Sequence, residues 1–132
     1  MSTVQNKLYM VDEYILKYLQ DVLDAIDELE GFFADFPKRF DLFEKDGLRV
    51  CAVERKTEIM GEAINRIRKK DPTFEIPNAK EIINTRNRII HGYDSVEKEF
   101  LWGLVLRHIP QLKKDVERII SEYNISPENF KQ

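Results

Sequence analysis

Cysteine is almost missing from this chain. Cys51 stands alone, so no internal disulfide can form, and the expected compartment is the reducing cytoplasm. Histidine is scarce as well, with two in 132 residues, and no Cys/His cluster has metal-ligand spacing. No resident metal or cofactor is therefore expected. Five Gly and five Pro leave little room for the turns of an all-β fold. Nothing alternates with period two for long enough to make a sheet. No apolar run approaches the length of a membrane span, and Asn6 and Lys7 interrupt the N-terminus before a signal-peptide core could form. Excess positive charge is also lacking. A net charge of −3 argues against binding nucleic acid through the whole surface, while leaving a local basic cleft open.

What remains is helix. Apolar residues make up 42% and charged residues 34%, the balance of a soluble helical protein rather than a disordered one. The length suits a single domain over 1–132, small enough for oligomerisation to help it. Residues 1–13 read as an N-terminal extension. From about Asp12, residues Ile15, Leu19, Val22, Leu23, Ile26, Leu29 and Phe33 recur at helical spacing. Pro37 ends that helix. Phe32, Phe33, Phe36, Phe40 and Phe43 crowd around the break and suggest a satellite cluster under a short extra helix, with a partner surface as the sharper alternative.

Gly47 opens a second long helix, with Leu48, Cys51, Ala52, Arg55, Ile59, Ala63, Ile64 and Ile67 as its apolar line. Gly61 inside it costs roughly 1 kcal/mol relative to Ala, which points to a neighbouring helix packed close there. Arg66, Arg68, Lys69 and Lys70 fill the last turns. Complementing the helix dipole explains them, and a nucleic-acid groove is the functional alternative. Asp71-Pro72 stops the helix. Pro77 suits the first turn of a third, carrying Ala79, Ile82, Ile83, Ile89 and Ile90, with Gly92 as its C-terminal cap. Asp94-Ser95-Val96-Glu97 resembles a capping box that starts the last helix. Pro110 inside that helix predicts a kink or break. Residues 125–132 read as a polar tail. The expected fold is all-α: an up-and-down bundle of four main helices plus a short extra helix, the last helix kinked near Pro110.

One stretch carries chemistry: Arg86-Asn87-Arg88-Ile89-Ile90-His91-Gly92-Tyr93. Asn87 and His91 are one turn apart and share a face. Arg86 lies five residues before His91, roughly 7–8 Å along the axis and ~140° around it. One helix therefore does not converge both on a small substrate, whereas two copies across a two-fold axis can. The set fits phosphodiester cleavage without metal. An imidazole can move the proton of a ribose 2′-hydroxyl or of the leaving oxygen, a guanidinium can hold the phosphate, and Asn87 can orient either. By themselves these residues also fit a plain structural role, with His91 answering a helix dipole and Arg86 a surface cation. His108 reads as structural and Arg88 as solvated or bound to a partner acid.

The octad resembles the R-x4-H-x-Y signature of HepT-like toxins in the HEPN superfamily. Three other stretches resemble the same family. Tyr18-Leu19-Gln20-Asp21-Val22-Leu23-Asp24-Ala25-Ile26 is similar to its opening "YLxDILxAI" helix, and Glu58-Ile59-Met60-Gly61-Glu62-Ala63-Ile64-Asn65-Arg66 to its "EIIGEAxxR" helix. Ile109-Pro110-Gln111-Leu112-Lys113-Lys114-Asp115-Val116 is similar to its "LPxLKxxI" ending. The resemblance covers roughly residues 14–120, in the family's order. It implies a HEPN-like bundle forming a homodimer with its cleft at the interface, and a metal-independent endoribonuclease toxin of a toxin–antitoxin system. Arg86 and His91 would be the catalytic pair, with Asn87 supporting. The implied partners are an RNA substrate and an MntA-like nucleotidyltransferase antitoxin, with which a larger hetero-oligomer can form. That antitoxin would silence the toxin by adenylylating Tyr93, placing phosphate charge beside Arg86 and His91. Gly92 stands where the family often carries an acidic or other residue. The alternative is a non-catalytic nucleotide- or partner-binding subunit of a nucleotidyltransferase complex.

Overall fold

The computed structural model describes residues 13–91 and 97–124. They form α1 (Glu13–Phe33), α2 (Phe40–Glu44), α3 (Gly47–Lys70), α4 (Lys80–Ile90) and α5 (Lys98–Gly103). A π-helical segment (Leu104–His108) then runs without a break into α6 (Ile109–Asn124). No strand occurs among the described residues. The all-α expectation holds: α1, α3, α4 and the long α5–α6 rod are the four main helices, and α2 is the short extra one.

α1 packs along α3, α3 along α4, and α1 along α6. The pairs run antiparallel, and two cross-helix ties mark the register. Lys56 near the start of α3 reaches Glu28 near the end of α1 at 2.6 Å. Lys113 at the start of α6 reaches Glu30 at 2.7 Å. Each tie is exposed on at least one side and contributes roughly 0–1 kcal/mol. Burial carries the stability instead. Leu19, Val22, Ile26, Met60, Ile64, Ile82, Leu101 and Leu112 are fully enclosed, each adding roughly 1.5–3 kcal/mol over an exposed position.

α3 starts at Gly47 as expected, because the Asp46 side chain accepts from the Arg49 N–H at 3.0 Å and caps it. Its buried line, however, is Val50, Val53, Thr57, Met60, Gly61, Ala63, Ile64 and Ile67. The N-terminal half of the expected line is displaced: Leu48 is 87% exposed, and Cys51 and Arg55 also face outward. Two apolar lines share this helix, and the one that continues into Ile64 and Ile67 at spacings of three and four faces the core.

α4 begins at Lys80, three residues later than Pro77 suggested. Pro77 instead enters a turn in which Asn78 takes φ 65°. Proline followed by a left-handed residue is the order of a type II turn, and Asn tolerates that backbone well. Asn78 Nδ2 also donates to Asp115 Oδ2 on α6 at 2.6 Å, fastening the turn.

The irregularity expected near Pro110 takes the form of the π turn directly before it. The Ile109 N–H bonds to the Leu104 carbonyl, five residues back. Widening the turn there relieves the clash of a proline ring with the carbonyl four residues earlier. It also moves the buried line from Leu104 to Ile109, a step of five, before Leu112, Val116 and Ile119 resume threes and fours. α5 starts at Lys98 with Glu97 as its cap residue and no side-chain cap bond; Asp94, Ser95 and Val96 of the expected capping box, and the expected Gly92 cap, lie outside the described residues.

The phenylalanine cluster is the expected satellite. Phe43 of α2 is fully buried, with the Trp102 ring stacked on it at 4.9 Å and Phe33 and Phe36 packed around them. Phe32 stays exposed. Trp102, the only Trp, organises this cluster and carried no signal of its own in the sequence.

Candidate active site

α4 delivers the octad. Ile82 and Ile83 bury its inner face, Ile89 packs half-buried on the core, and the Thr85 hydroxyl donates back to the Glu81 carbonyl at 2.8 Å. This fixes the rotation of the helix, and rotation decides where Arg86 points.

Arg86 lies on Gly61 of α3. A Cβ added at Gly61 would sit 2.7 Å from Arg86 Cβ and 2.8 Å from Cγ, closer than any side chain tolerates. The close approach read from Gly61 is therefore real, and the neighbour that needs it is the octad's own arginine. The aliphatic stem of Arg86 occupies the notch, and its Nε is buried with no acceptor among the described residues. Its guanidinium reaches Asn87 Oδ1 at 3.5 Å, the outer edge of a hydrogen bond. Leaving a buried donor unpaired costs about 1–3 kcal/mol, which an anionic ligand's oxygen would offset.

The guanidinium opens into a cleft of about 530 Å³ lined by Glu62, Asn65, Arg66, Arg68 and Lys69 of α3 together with Arg86. Arg66 is neutralised by Glu62 at 2.7 Å. Arg68 and Lys69 are exposed and form no ion pair among the described residues. The remaining cations therefore face the cleft without internal partners.

His91 caps α4, its N–H bonded to the Asn87 carbonyl at 3.0 Å, and it is exposed. It does not line the cleft that Arg86 enters. Asn87 thus touches both expected roles, its side chain toward Arg86 and its carbonyl toward the His91 backbone. Arg88 is exposed, and His108 sits half-buried in the π segment. Tyr93 lies outside the described residues.

Two other hollows are chemically different. A groove of about 270 Å³ between α1 and α3 is lined by four carboxylates, Asp21, Asp24, Glu28 and Glu62, together with Lys56, Arg66 and apolar side chains. A groove of about 290 Å³ beside the π turn is apolar, with Phe33, Phe36, Trp102 and Pro110. Among the described residues no three His, Cys, Asp or Glu are grouped to hold a metal ion, and no helix is long and apolar enough to cross a membrane.

Comparison with known proteins adds an independent line. The family model described as ribonuclease HepT-like matches residues 22–119. A protein of Thermococcus cleftensis named probable ribonuclease HepT is 35% identical over 106 residues, covering 77% of this chain and 92% of that one. Two others carry RNase names given provisionally. One, from Caldanaerobacter subterraneus subsp. tengcongensis, is 31% identical over 83% of this chain and 93% of its own. The other, from Methanocaldococcus jannaschii, is 30% identical over 85% and 92%. No solved structure matches. The matched span includes α3 with its Gly61 notch, α4 with Arg86 and His91, and the rod through Pro110. The chain belongs to the ribonuclease HepT-like family.

Proposed function

We propose that this protein is a metal-independent endoribonuclease that acts as the toxin of a toxin–antitoxin pair. The observation that carries the reading is the seat of Arg86 on Gly61, with a buried unpaired Nε beside a cation-lined cleft, five residues before a cap histidine. The RNase names of its relatives support it. In the proposed reaction an imidazole of His91 takes the proton of a ribose 2′-hydroxyl. The 2′-oxygen bonds to phosphorus, the bond from phosphorus to the 5′-oxygen breaks, and that oxygen takes up a proton. Arg86 holds the phosphate and stabilises charge growing on its oxygens, and Asn87 orients Arg86.

Arg86 and His91 open onto different sides of α4, so the working cleft is shared by two copies of the chain. The second apolar line of α3, with Leu48 and Cys51 exposed and Ala52 and Ile59 half-buried, suits a contact with that copy. The partner that restrains the toxin is a nucleotidyltransferase antitoxin, and adenylylation of Tyr93 would add phosphate beside the site.

The test is cleavage of RNA by the purified protein in EDTA. Arg86→Ala and His91→Ala are each expected to lower kcat/KM by about 10²-fold or more while helix content is kept. Cleavage undiminished in both variants, or absent from the wild type, sinks the reading. Weighing the chain intact after co-expression with the nucleotidyltransferase tests the silencing step. AMP-sized additions on a tyrosine other than Tyr93 would refute it.

A further inference from the structure

Gly61, Asn65, Arg68 and Lys69 fall at i, i+4, i+7 and i+8, so they lie along one face of α3. That face starts at the notch that holds Arg86 and runs outward for about 12 Å along the helix axis. Its polar members all line the cleft with Arg86. Several cations elsewhere on this surface are engaged by carboxylates, as Lys17, Arg39, Arg49, Arg55, Lys56 and Lys113 show. Arg68 and Lys69 form no ion pair among the described residues, in a molecule of net charge −3. Among the described residues no aromatic ring lines the cleft, so these residues offer bases nothing to stack on.

We infer that this face of α3 is a binding track for the phosphodiester backbone of a single RNA strand, with Arg68 and Lys69 holding phosphates that neighbour the one at Arg86. The inference rests on the ribonuclease reading for the identity of the strand, and it adds where the strand runs. Asn65, between the notch and the two cations, donates to a phosphate or sugar oxygen on the way. Because the contacts are to backbone and none is a stacking contact, the track gives affinity and direction with no choice of sequence. Substrate preference then has to be set elsewhere.

The experiment uses the full chain and a short fluorescein-labelled, fully 2′-O-methylated RNA of mixed sequence, which cannot be cleaved through a 2′-hydroxyl. Affinity is measured across a salt series. The double variant Arg68→Ala/Lys69→Ala is expected to bind about ten-fold more weakly at low salt. Its slope of log affinity against log salt should be shallower by ~1.4, two contacts at ~0.7 each for a single strand. On unmodified RNA the same variant should raise KM and leave kcat unchanged. Arg118→Ala, on α6 and outside the cleft, serves as the charge control and should bind as wild type. A slope unchanged by the double variant overturns the track, as does loss of binding to polyglutamate with RNA binding intact, which would make the face a protein-docking surface. If the wild type fails to cleave unmodified RNA but the slope still falls, the ribonuclease reading fails and the track stands.

Discussion

Gly61 and Arg86 act as one unit, each explaining an oddity in the other. A glycine in the middle of a 24-residue helix weakens that helix, and an arginine with a buried, unpaired Nε weakens the fold around it. Together they set a guanidinium at a fixed height beside α3. Gly61→Ala gains helix propensity of roughly 1 kcal/mol but forces a methyl against Arg86 Cβ and Cγ, an overpacking of about 1–3 kcal/mol. A net loss of about 1 kcal/mol is expected, read as a fall in Tm of about 3 °C, with RNA cleavage reduced at least ten-fold in protein that is still folded. Gly31→Ala is the matched contrast. Nothing lies within 4 Å of the added methyl, so stability should rise by up to about 1 kcal/mol with cleavage unchanged. Equal effects of the two substitutions on cleavage would show that Gly61 does not position Arg86.

Among the elements, the rod from Lys98 to Asn124 makes the clearest test of local physics. Its π turn has two candidate causes: the Pro110 ring, and a buried line that steps by five between Leu104 and Ile109. Deleting the exposed Arg107 restores a step of four and places Pro110 inside a regular α ladder. The deletion alone should cost about 3 kcal/mol, and adding Pro110→Ala should recover most of it, as followed by thermal unfolding. No recovery would mean that the proline is not the cause. The sequence showed this rod, its irregularity, α1, and the ends of α3, because proline, glycine and threes-and-fours patterning act locally. The phase of α3 was hidden, since Leu48 and Cys51 continue a plausible apolar line and only the neighbouring helices choose between two lines. The start of α4 was missed because Pro77 serves a turn as readily as a first helical residue, and Asn78 settles the matter through its φ and its bond to Asp115. At the candidate site, Arg86, Asn87 and His91 stand out in the sequence as a motif. That Arg86 would fill the Gly61 notch was not legible there, because spacing within one helix says nothing of which residue meets a glycine on the next.

For the whole molecule, packing and charge meet at Tyr123. Its ring is buried against Phe74, and burial, helped by the charges of Glu122 and Asp71, raises its phenol pKa from 10.0 to about 12. An unfolded chain loses this proton near pH 10 while the folded one keeps it. The stabilisation from a neutral Tyr123 is therefore complete below pH 10 and declines as pH rises through about 12. Urea midpoints measured from pH 8 upward should fall across that window, with a flatter alkaline limb in Tyr123→Phe; identical limbs would assign the decline to other groups. Across the bundle from this ring contact, the lone Trp102 offers something of a different kind. Its indole is stacked on Phe43, edges the apolar groove beside the π turn, and does not line the cation cleft. The protein thus carries a single built-in optical probe. Its emission should stay constant as RNA titrates onto α3 and shift to the red when α2 leaves α5, so one cuvette separates loss of a ligand from loss of the fold.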